Sequence, residues 1–225
     1  MKQPLISVYI PTHNRVSLLL DRALPSVLSQ TYRNIEIVVV AHGCTDGTED
    51  AVRAFAEDIG VLSIPRVVTY PPTPENHWFA GRVAPANAAL DACLGDWIAT
   101  IDDDDSWEAD CLESLLSFAL EGDYEFVSAA GRNHKGRIEP YDLDGVKVGP
   151  IQTWLYKRYL KQIKFNPDCW KNYTNKVCDT DLQQRFRDKG VRMGYLDKIL
   201  VSVIPRPGET EVGFKAAMEH NRFVS

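Results

Sequence analysis

Three apolar runs in the first half of the chain each stop abruptly at a polar loop, and this limits the possible folds more than any other feature. Leu5-Ile6-Ser7-Val8-Tyr9-Ile10 ends at Pro11-Thr12-His13-Asn14-Arg15, and Ile35-Glu36-Ile37-Val38-Val39-Val40 ends at Ala41-His42-Gly43-Cys44-Thr45-Asp46. Ile98-Ala99-Thr100-Ile101 ends at Asp102-Asp103-Asp104-Asp105. The runs are short and nearly continuous in apolar residues, as strands buried on both faces are. Helical patterns lie between them: about Ser17 to Gln30, where Pro25 should kink or break the helix, then Thr48 to about Asp58, then a small-residue helix from about Pro85 to Ala92. A further strand is expected over Ile64 to Tyr70, followed by a long polar loop from Pro71 that contains His77, Trp78 and Phe79. This alternation predicts an α/β fold with a Rossmann-like, mostly parallel sheet flanked by helices. In such sheets ligands bind beyond the strand carboxyl ends, where all three special loops fall.

The acidic loop is the sharpest of the three. Four adjacent carboxylates repel one another, so a strand that ends in them points to a positive partner in the working protein. Oxygen-only ligands suit a hard divalent cation, Mg2+ or Mn2+. The plainer alternative is a solvated turn in which Asp105 or Ser106 caps a helix starting near Glu108.

The second half is less regular. A helix from about Glu108 to Leu120 precedes a strand over Tyr124 to Ala130. Gly131 to Gly149 reads as a hairpin or loop, Thr153 to Leu160 as helical, and Phe165 to Lys176 as aromatic and turn-rich. A helix over Asp179 to Lys189 is followed by a strand over Leu196 to Ile204, a break at Pro205-Arg206-Pro207-Gly208, and a last helix over roughly Val212 to Arg222.

At 225 residues, 44% apolar and 25% charged, the chain is long enough for one large domain with a proper core. Its net charge of -6 and the lack of any Lys/Arg block argue against a nucleic-acid-binding surface. No apolar run approaches the length of a membrane span, and Met1-Lys2-Gln3-Pro4 leads straight into a strand, so neither a span nor a signal peptide is expected. The five scattered cysteines contain no C-x-x-C pair and read as free thiols of a cytoplasmic protein.

The ordered motifs resemble those of family 2 glycosyltransferases. The opening Ser7 to Arg15, the strand ending in Gly43-Cys44-Thr45-Asp46-Gly47-Thr48, and Gly95-Asp96-Trp97 running into Asp102-Asp103-Asp104-Asp105-Ser106-Trp107 follow the family's order and spacing. The resemblance covers about residues 5 to 107 strongly and 108 to 204 more weakly. It implies a GT-A fold in a single domain over 1–225, with a nucleotide-sugar-binding half to about 107 and an acceptor-binding half after it. It also implies transfer of one sugar from a nucleotide-sugar donor, UDP-linked by expectation, with inversion and a divalent metal. The acceptor stays open: glycan, lipid-linked carrier, protein or small molecule.

Residue by residue, the resemblance assigns Pro11, Thr12 and Arg15 to the base and diphosphate pocket, with Arg15 alternatively a structural ion pair. Asp102 and Asp104 match positions that contact ribose or metal, and Asp104 and Asp105 are the metal candidates. Where the family reads the base with an Asp, this chain has Ala41-His42, so His42 is either a base reader or a surface histidine. Asp46 matches a later Asp and suits a helix cap. The family's Ala-Arg-Asn becomes Pro85-Ala86-Asn87, leaving Asn87 for the donor or for helix packing, with Arg82 or Arg66 as sources of the missing charge. At the catalytic-base position Cys178-Asp179-Thr180-Asp181 replaces a Glu-Asp pair. Asp179 is the expected base and Asp181 the reserve, about 200° away round the helix. Trp154, Tyr156, Trp170 and Tyr173 are candidates for a sugar-stacking surface. Two other functions compete: a degenerate family member that binds a nucleotide or partner without turnover, and, more weakly, a nucleotidyltransferase, which should carry a Gly-rich basic loop that Pro11–Arg15 is not.

Overall fold

In the computed structural model the described residues are 3–58, 66–70, 81–171 and 177–208. Among them nine strands form one sheet: β1 (Ile6–Thr12), β2 (Ile35–His42), β3 (Arg66–Tyr70), β4 (Trp97–Thr100), β5 (Ser106–Trp107), β6 (Phe126–Asn133), β7 (Gly136–Ile138), β10 (Leu155–Lys157) and β11 (Met193–Ser202). β8 (Tyr141–Leu143) and β9 (Val146–Val148) pair as a separate hairpin. The order across the sheet is β3-β2-β1-β4-β10-β6-β11-β5, with β7 on β6. β1 to β4 are mutually parallel, as are β6 and β11, while β10 runs antiparallel to both its neighbours. The expected mostly parallel sheet is present. From β1 the chain steps outward to β2 on one side and later returns as β4 on the other. The crevice between the ends of β1 and β4 is therefore a topological switch point, where open α/β sheets bind ligands.

Alternate residues of each strand enter two cores, one on each face. Ile6, Val8 and Ile10 pack with Leu19, Leu24, Val52, Leu112 and Leu115. Tyr9, Ile98, Phe126 and Tyr156 pack on the other face with Ala86, Leu90, Leu182 and Phe186. The first core is covered by α1 (Val16–Leu18), α2 (Leu24–Leu28), α3 (Thr48–Asp58) and α5 (Cys111–Glu121). The second is covered by α4 (Val83–Ala92) and α6 (Cys178–Asp188). The break expected at Pro25 is a π-helical turn, Leu19–Ala23, that joins α1 to α2. The Leu24 N–H reaches back to the Leu19 carbonyl, so the wider register falls just before the residue that has no N–H to give.

One expected element is wrong. Thr153 to Leu160 is not a helix: β10 lies there between two 3-10 turns, Ile151–Thr153 and Arg158–Gln162. Leu155 enters one core and Tyr156 the other, which is strand alternation. A run this short cannot be assigned by period alone, and the pairing offered by β4 and β6 on either side decides it. The helix expected from Glu108 begins at Cys111, because Ser106 and Trp107 first pair with β11. The capping role considered for Asp105 or Ser106 therefore falls away. The last helix over Val212 to Arg222, the loop from Pro71 to Phe79 and Tyr173 lie outside the described residues.

Gly95 shows why the turn into β4 has no side chain. A Cβ there would stand 2.6 Å from the Ser7 backbone nitrogen and 2.8 Å from the Leu5 carbonyl oxygen. The Gly95 N–H donates to Ser7 Oγ at 2.7 Å and to Glu36 Oε1 at 3.0 Å. Gly95→Ala is expected to lower stability by about 2 kcal/mol through this overpacking. Urea unfolding would show it as a lower midpoint with an unchanged slope.

Candidate active site

The loops after β1 and β2 are braced against each other. Asn14 sits at φ 51°, and its Oδ1 accepts the Thr45 N–H at 2.7 Å and the Thr45 hydroxyl at 3.3 Å. His13 Nδ1 lies 2.5 Å from the His42 carbonyl oxygen, and Cys44 Sγ donates to the Thr12 carbonyl at 3.6 Å. Asp46 serves two helix starts at once. Its Oδ2 accepts the Val16 N–H at 3.0 Å, and its Oδ1 accepts the Thr48 N–H at 3.3 Å and hydroxyl at 2.5 Å. Asp46 is not the expected N-cap, since the Gly47 carbonyl accepts the first helical N–H of α3, from Ala51, but its side chain ties both helix starts together. Pro11, Thr12, Arg15 and His42 all lie on this braced wall of the crevice.

Beside them, at the end of β4, three of the four carboxylates pair with arginines and the fourth, Asp105, takes a backbone N–H. Asp102 Oδ1 accepts from Arg82 Nη2 at 2.7 Å and Asp102 Oδ2 from Gln152 Nε2 at 2.6 Å. Asp103 is 1% exposed and accepts from Arg15 Nη1 at 3.0 Å, with Asp104 Oδ2 3.8 Å from the same nitrogen. Asp104 also pairs with Arg206 Nε, and its carbonyl accepts from Arg22 Nη1 at 3.0 Å. Asp105 is 2% exposed and accepts the Ile204 N–H at 3.1 Å. Burial pushes the Asp103 carboxyl up to about 6 against the pull of Arg15. Burial, with Asp102 and Asp104 adding like charge, holds Asp105 well above the usual carboxylate range. Ligand oxygens of Asp102, Asp104 and Asp105 all lie within 4.8 Å of one another, a separation that one cation can bridge. Arg15 thus makes the structural ion pair considered for it.

Asp179 lies in the first turn of α6, half-buried and within reach of the charges of Arg82 and Asp102, with its Oδ1 accepting its neighbour Thr180 N–H at 2.8 Å. Burial raises its carboxyl above the usual value, and the positive charge of Arg82 works against that rise. Asp179 is not the helix cap, which is Val177. Asp181 is 5% exposed and spends its carboxylate on Arg185 Nε at 2.8 Å, so it is withdrawn from the crevice. Burial keeps the Cys178 thiol well above its ordinary value, hence protonated and no base.

Two expectations need correction on geometry. Asn87 does not face the crevice: its Nδ2 donates to the Phe165 carbonyl at 3.0 Å, and its Oδ1 accepts the Phe165 N–H at 2.9 Å. It ties α4 to the second half through both ends of its amide. Trp154 and Tyr156 are core residues at 0% and 1% exposure, packed on Phe126, and form no sugar platform. The Trp170 side chain and Tyr173 are outside the described residues. Gln152, Arg22 and Arg206 were missed by sequence reasoning. Only Arg206 had a local signal, since it stands between Pro205 and Pro207 where a chain is stiff and non-helical.

A family model described as "Glycosyl transferase family 2" matches residues 7–187, which include both walls of this crevice. The chain belongs to glycosyl transferase family 2. A UDP-Glc:alpha-D-GlcNAc-diphosphoundecaprenol beta-1,3-glucosyltransferase of Escherichia coli is 26% identical over 194 residues, covering 86% of this chain and 66% of that protein. An uncharacterized glycosyltransferase of Haemophilus influenzae is 30% identical over 142 residues, 60% of this chain and 53% of that protein. A mannosyltransferase of Pyrobaculum calidifontis, solved with GDP-Man and Mn2+, superposes with a TM-score of 0.72 at 21% identity, over 92% of this chain and 59% of that one. The fold is therefore that of the GT-A glycosyltransferases, and the chain spans roughly half to two thirds of the length of these relatives. No helix among the described residues is long and apolar enough to cross a membrane.

The brace between the loops after β1 and β2 has a measurable weight. Asp46→Ala removes the side-chain acceptor from the first N–H of two helices and should cost about 1 kcal/mol. Hydrogen bonds from Thr48 and Val16 hold the Asp46 carboxyl below its ordinary value, outweighing the opposing effect of its partial burial. Its contribution is therefore full above the unfolded-state pKa and lost as pH falls through the depressed folded value. Thermal unfolding of both proteins from pH 7 to pH 3 should show the two converging at the acid end.

Proposed function

We propose that this family 2 protein moves one sugar from a nucleotide-sugar donor to an acceptor hydroxyl, with inversion and with Mn2+ or Mg2+ as cofactor. The observation that carries the proposal is the approach of Asp102, Asp104 and Asp105 within 4.8 Å at the switch point of the sheet. The donor set fits such an ion. It is all oxygen, as hard cations require, and it includes Asp105, a carboxylate that burial and its neighbours resist ionising. When bound, a divalent cation offsets the negative charge that develops on the leaving diphosphate. Asp104 and Asp105 would hold it. Asp102, with Arg82 on one oxygen and Gln152 on the other, is better placed to orient the donor ribose.

Pro11, Thr12, Arg15 and His42 line the side of the crevice where base and diphosphate would lie. Asp179 takes the proton from the acceptor hydroxyl as that oxygen attacks. Attack from the face opposite the leaving diphosphate inverts the anomeric carbon. Its raised basicity suits the task, since a stronger base takes a proton more readily provided it is ionised at working pH. Residues to about 107 would bind the donor and the remainder would shape the acceptor site. The E. coli relative is named for a UDP-linked donor, which supports UDP here. The solved mannosyltransferase holds GDP-Man with Mn2+, which supports the class of donor and of ion. A cytoplasmic setting is consistent with the five free cysteines.

A panel of UDP, GDP, dTDP and CDP sugars, each with and without Mn2+, tests the proposal by binding heat and slow donor hydrolysis. One base should bind in a metal-dependent way and be hydrolysed. Asp105→Asn should lower metal-dependent hydrolysis by about a hundredfold. No binding in any combination would instead leave a family member that works by contact alone.

Asp179→Asn should lower transfer by about 10²- to 10⁴-fold with donor binding retained, whereas Asp181→Asn should act mainly on stability. Because the base must be ionised, and Asp179 is raised, kcat/KM should fall on the acid side at a pH above that of an ordinary aspartate. An acid limb at or below that ordinary value would exclude Asp179 as the base.

A further inference from the structure

The strap that follows β11 is tied once to β6 and twice to the acidic cluster. The Val203 N–H donates to the Arg132 carbonyl at 2.8 Å, and the Ile204 N–H donates to Asp105 Oδ1 at 3.1 Å. The Arg206 guanidinium pairs through Nε with Asp104 Oδ2. Arg22 Nη1 joins the two sides, donating to the Asp104 carbonyl at 3.0 Å and to the Pro205 carbonyl at 3.4 Å. The strap thus engages one oxygen from each of Asp104 and Asp105, the two carboxylates with the strongest claim on a cation.

The arginines of the cluster differ in how they are carried. Arg82 opens α4 and Arg15 opens α1, both continuous with the sheet. Arg206 stands beyond the last paired strand residue, Ser202, between two prolines and just before Gly208 at φ 83°. Its side chain is 24% exposed, while that of Asp104 is 10% exposed. A segment held chiefly by contacts to charged groups, outside any ladder, opens at lower free energy than the sheet it follows.

We propose that Arg206 and a divalent cation compete for the Asp104 carboxylate, and that a cation taking Asp104 and Asp105 displaces Arg206 and releases the strap. The inference rests on the metal reading of the cluster given above. Its physical basis is charge balance. A buried carboxylate left without a positive partner is costly, so Arg206 and the cation compete for the same oxygen, and each weakens the hold of the other. The residue thereby sets how much free cation the site needs and couples cation binding to the opening of the strap.

Mn2+ titration of the full chain, read by electron paramagnetic resonance of free Mn2+, tests this without any turnover assay. Arg206→Gln should bind Mn2+ about tenfold more tightly than the parent, the change expected when one close ion pair no longer has to be broken. Arg206→Lys, which keeps the charge, should stay near the parent value. Amide hydrogen exchange supplies the second arm: Mn2+ should strip protection from Ile204 in the parent while leaving β11 protected. A mere field effect of the guanidinium would tighten binding in Arg206→Gln but leave the Ile204 amide protected, and would overturn the exchange mechanism. Parent and Arg206→Gln binding Mn2+ equally would overturn the competition while the metal reading stands. If neither binds Mn2+, both fall together.

Discussion

Four carboxylates crowd one strand end, three of them held by arginines from distant parts of the chain, and much of this protein is arranged around the requirement to share that charge. A charge buried without a partner costs several kcal/mol, and Asp103, Asp104 and Asp105 are all nearly buried. Arg15 comes from the loop after β1, Arg82 from the start of α4 and Arg206 from beyond β11. The cluster is therefore where the first, middle and last described parts of the chain meet. The neutral Gln152 adds a hydrogen bond without cancelling charge. It thereby fixes the orientation of Asp102 while leaving the site acidic enough to attract a cation.

The same requirement explains why the two walls of the crevice differ. On the wall built by the loops after β1 and β2, bonds between loops do the work: Thr45 to Asn14, Val16 and Thr48 to Asp46, and His13 to the His42 carbonyl. These are largely neutral or helix-capping contacts, and they give a wall whose shape does not depend on a bound ion. On the acidic side the contacts are between charges, and their strength depends on what else is bound there. One wall is built to be constant and the other to respond.

What could be read from the sequence follows from what is local. The strand runs ending in polar loops were legible because burial on both faces leaves a continuous apolar signature, and β1, β2 and β4 are where that signature placed them. The acidic cluster was legible because like charges in sequence are conspicuous. The break near Pro25 was legible as a break, though not as a π turn. β10 was not legible, since three residues carry no period and only its neighbours make it a strand. Arg22, Gln152 and Arg206 were not legible either, because their partners lie 82, 50 and 102 residues away in the chain. Asn87 could be read either as a donor contact or as helix packing, and its paired bonds to the Phe165 backbone, 78 residues away, favour packing.

The placement of β10 carries a consequence for how the chain comes together. β4 lies beside β1 on one side, but its other edge is filled only by Leu155–Lys157, which also joins β6 to the sheet. Until residue 157 has left the ribosome, Ile98 and Ala99 present an open apolar edge next to four repelling carboxylates. Such edges invite pairing with other chains, and closing this one requires a contact between residues more than fifty positions apart, which slows folding. The half of the chain that looks most self-sufficient in sequence is therefore the half left unfinished during synthesis. A fragment ending soon after Trp107 would be prone to aggregate, whatever its donor-side loops can do.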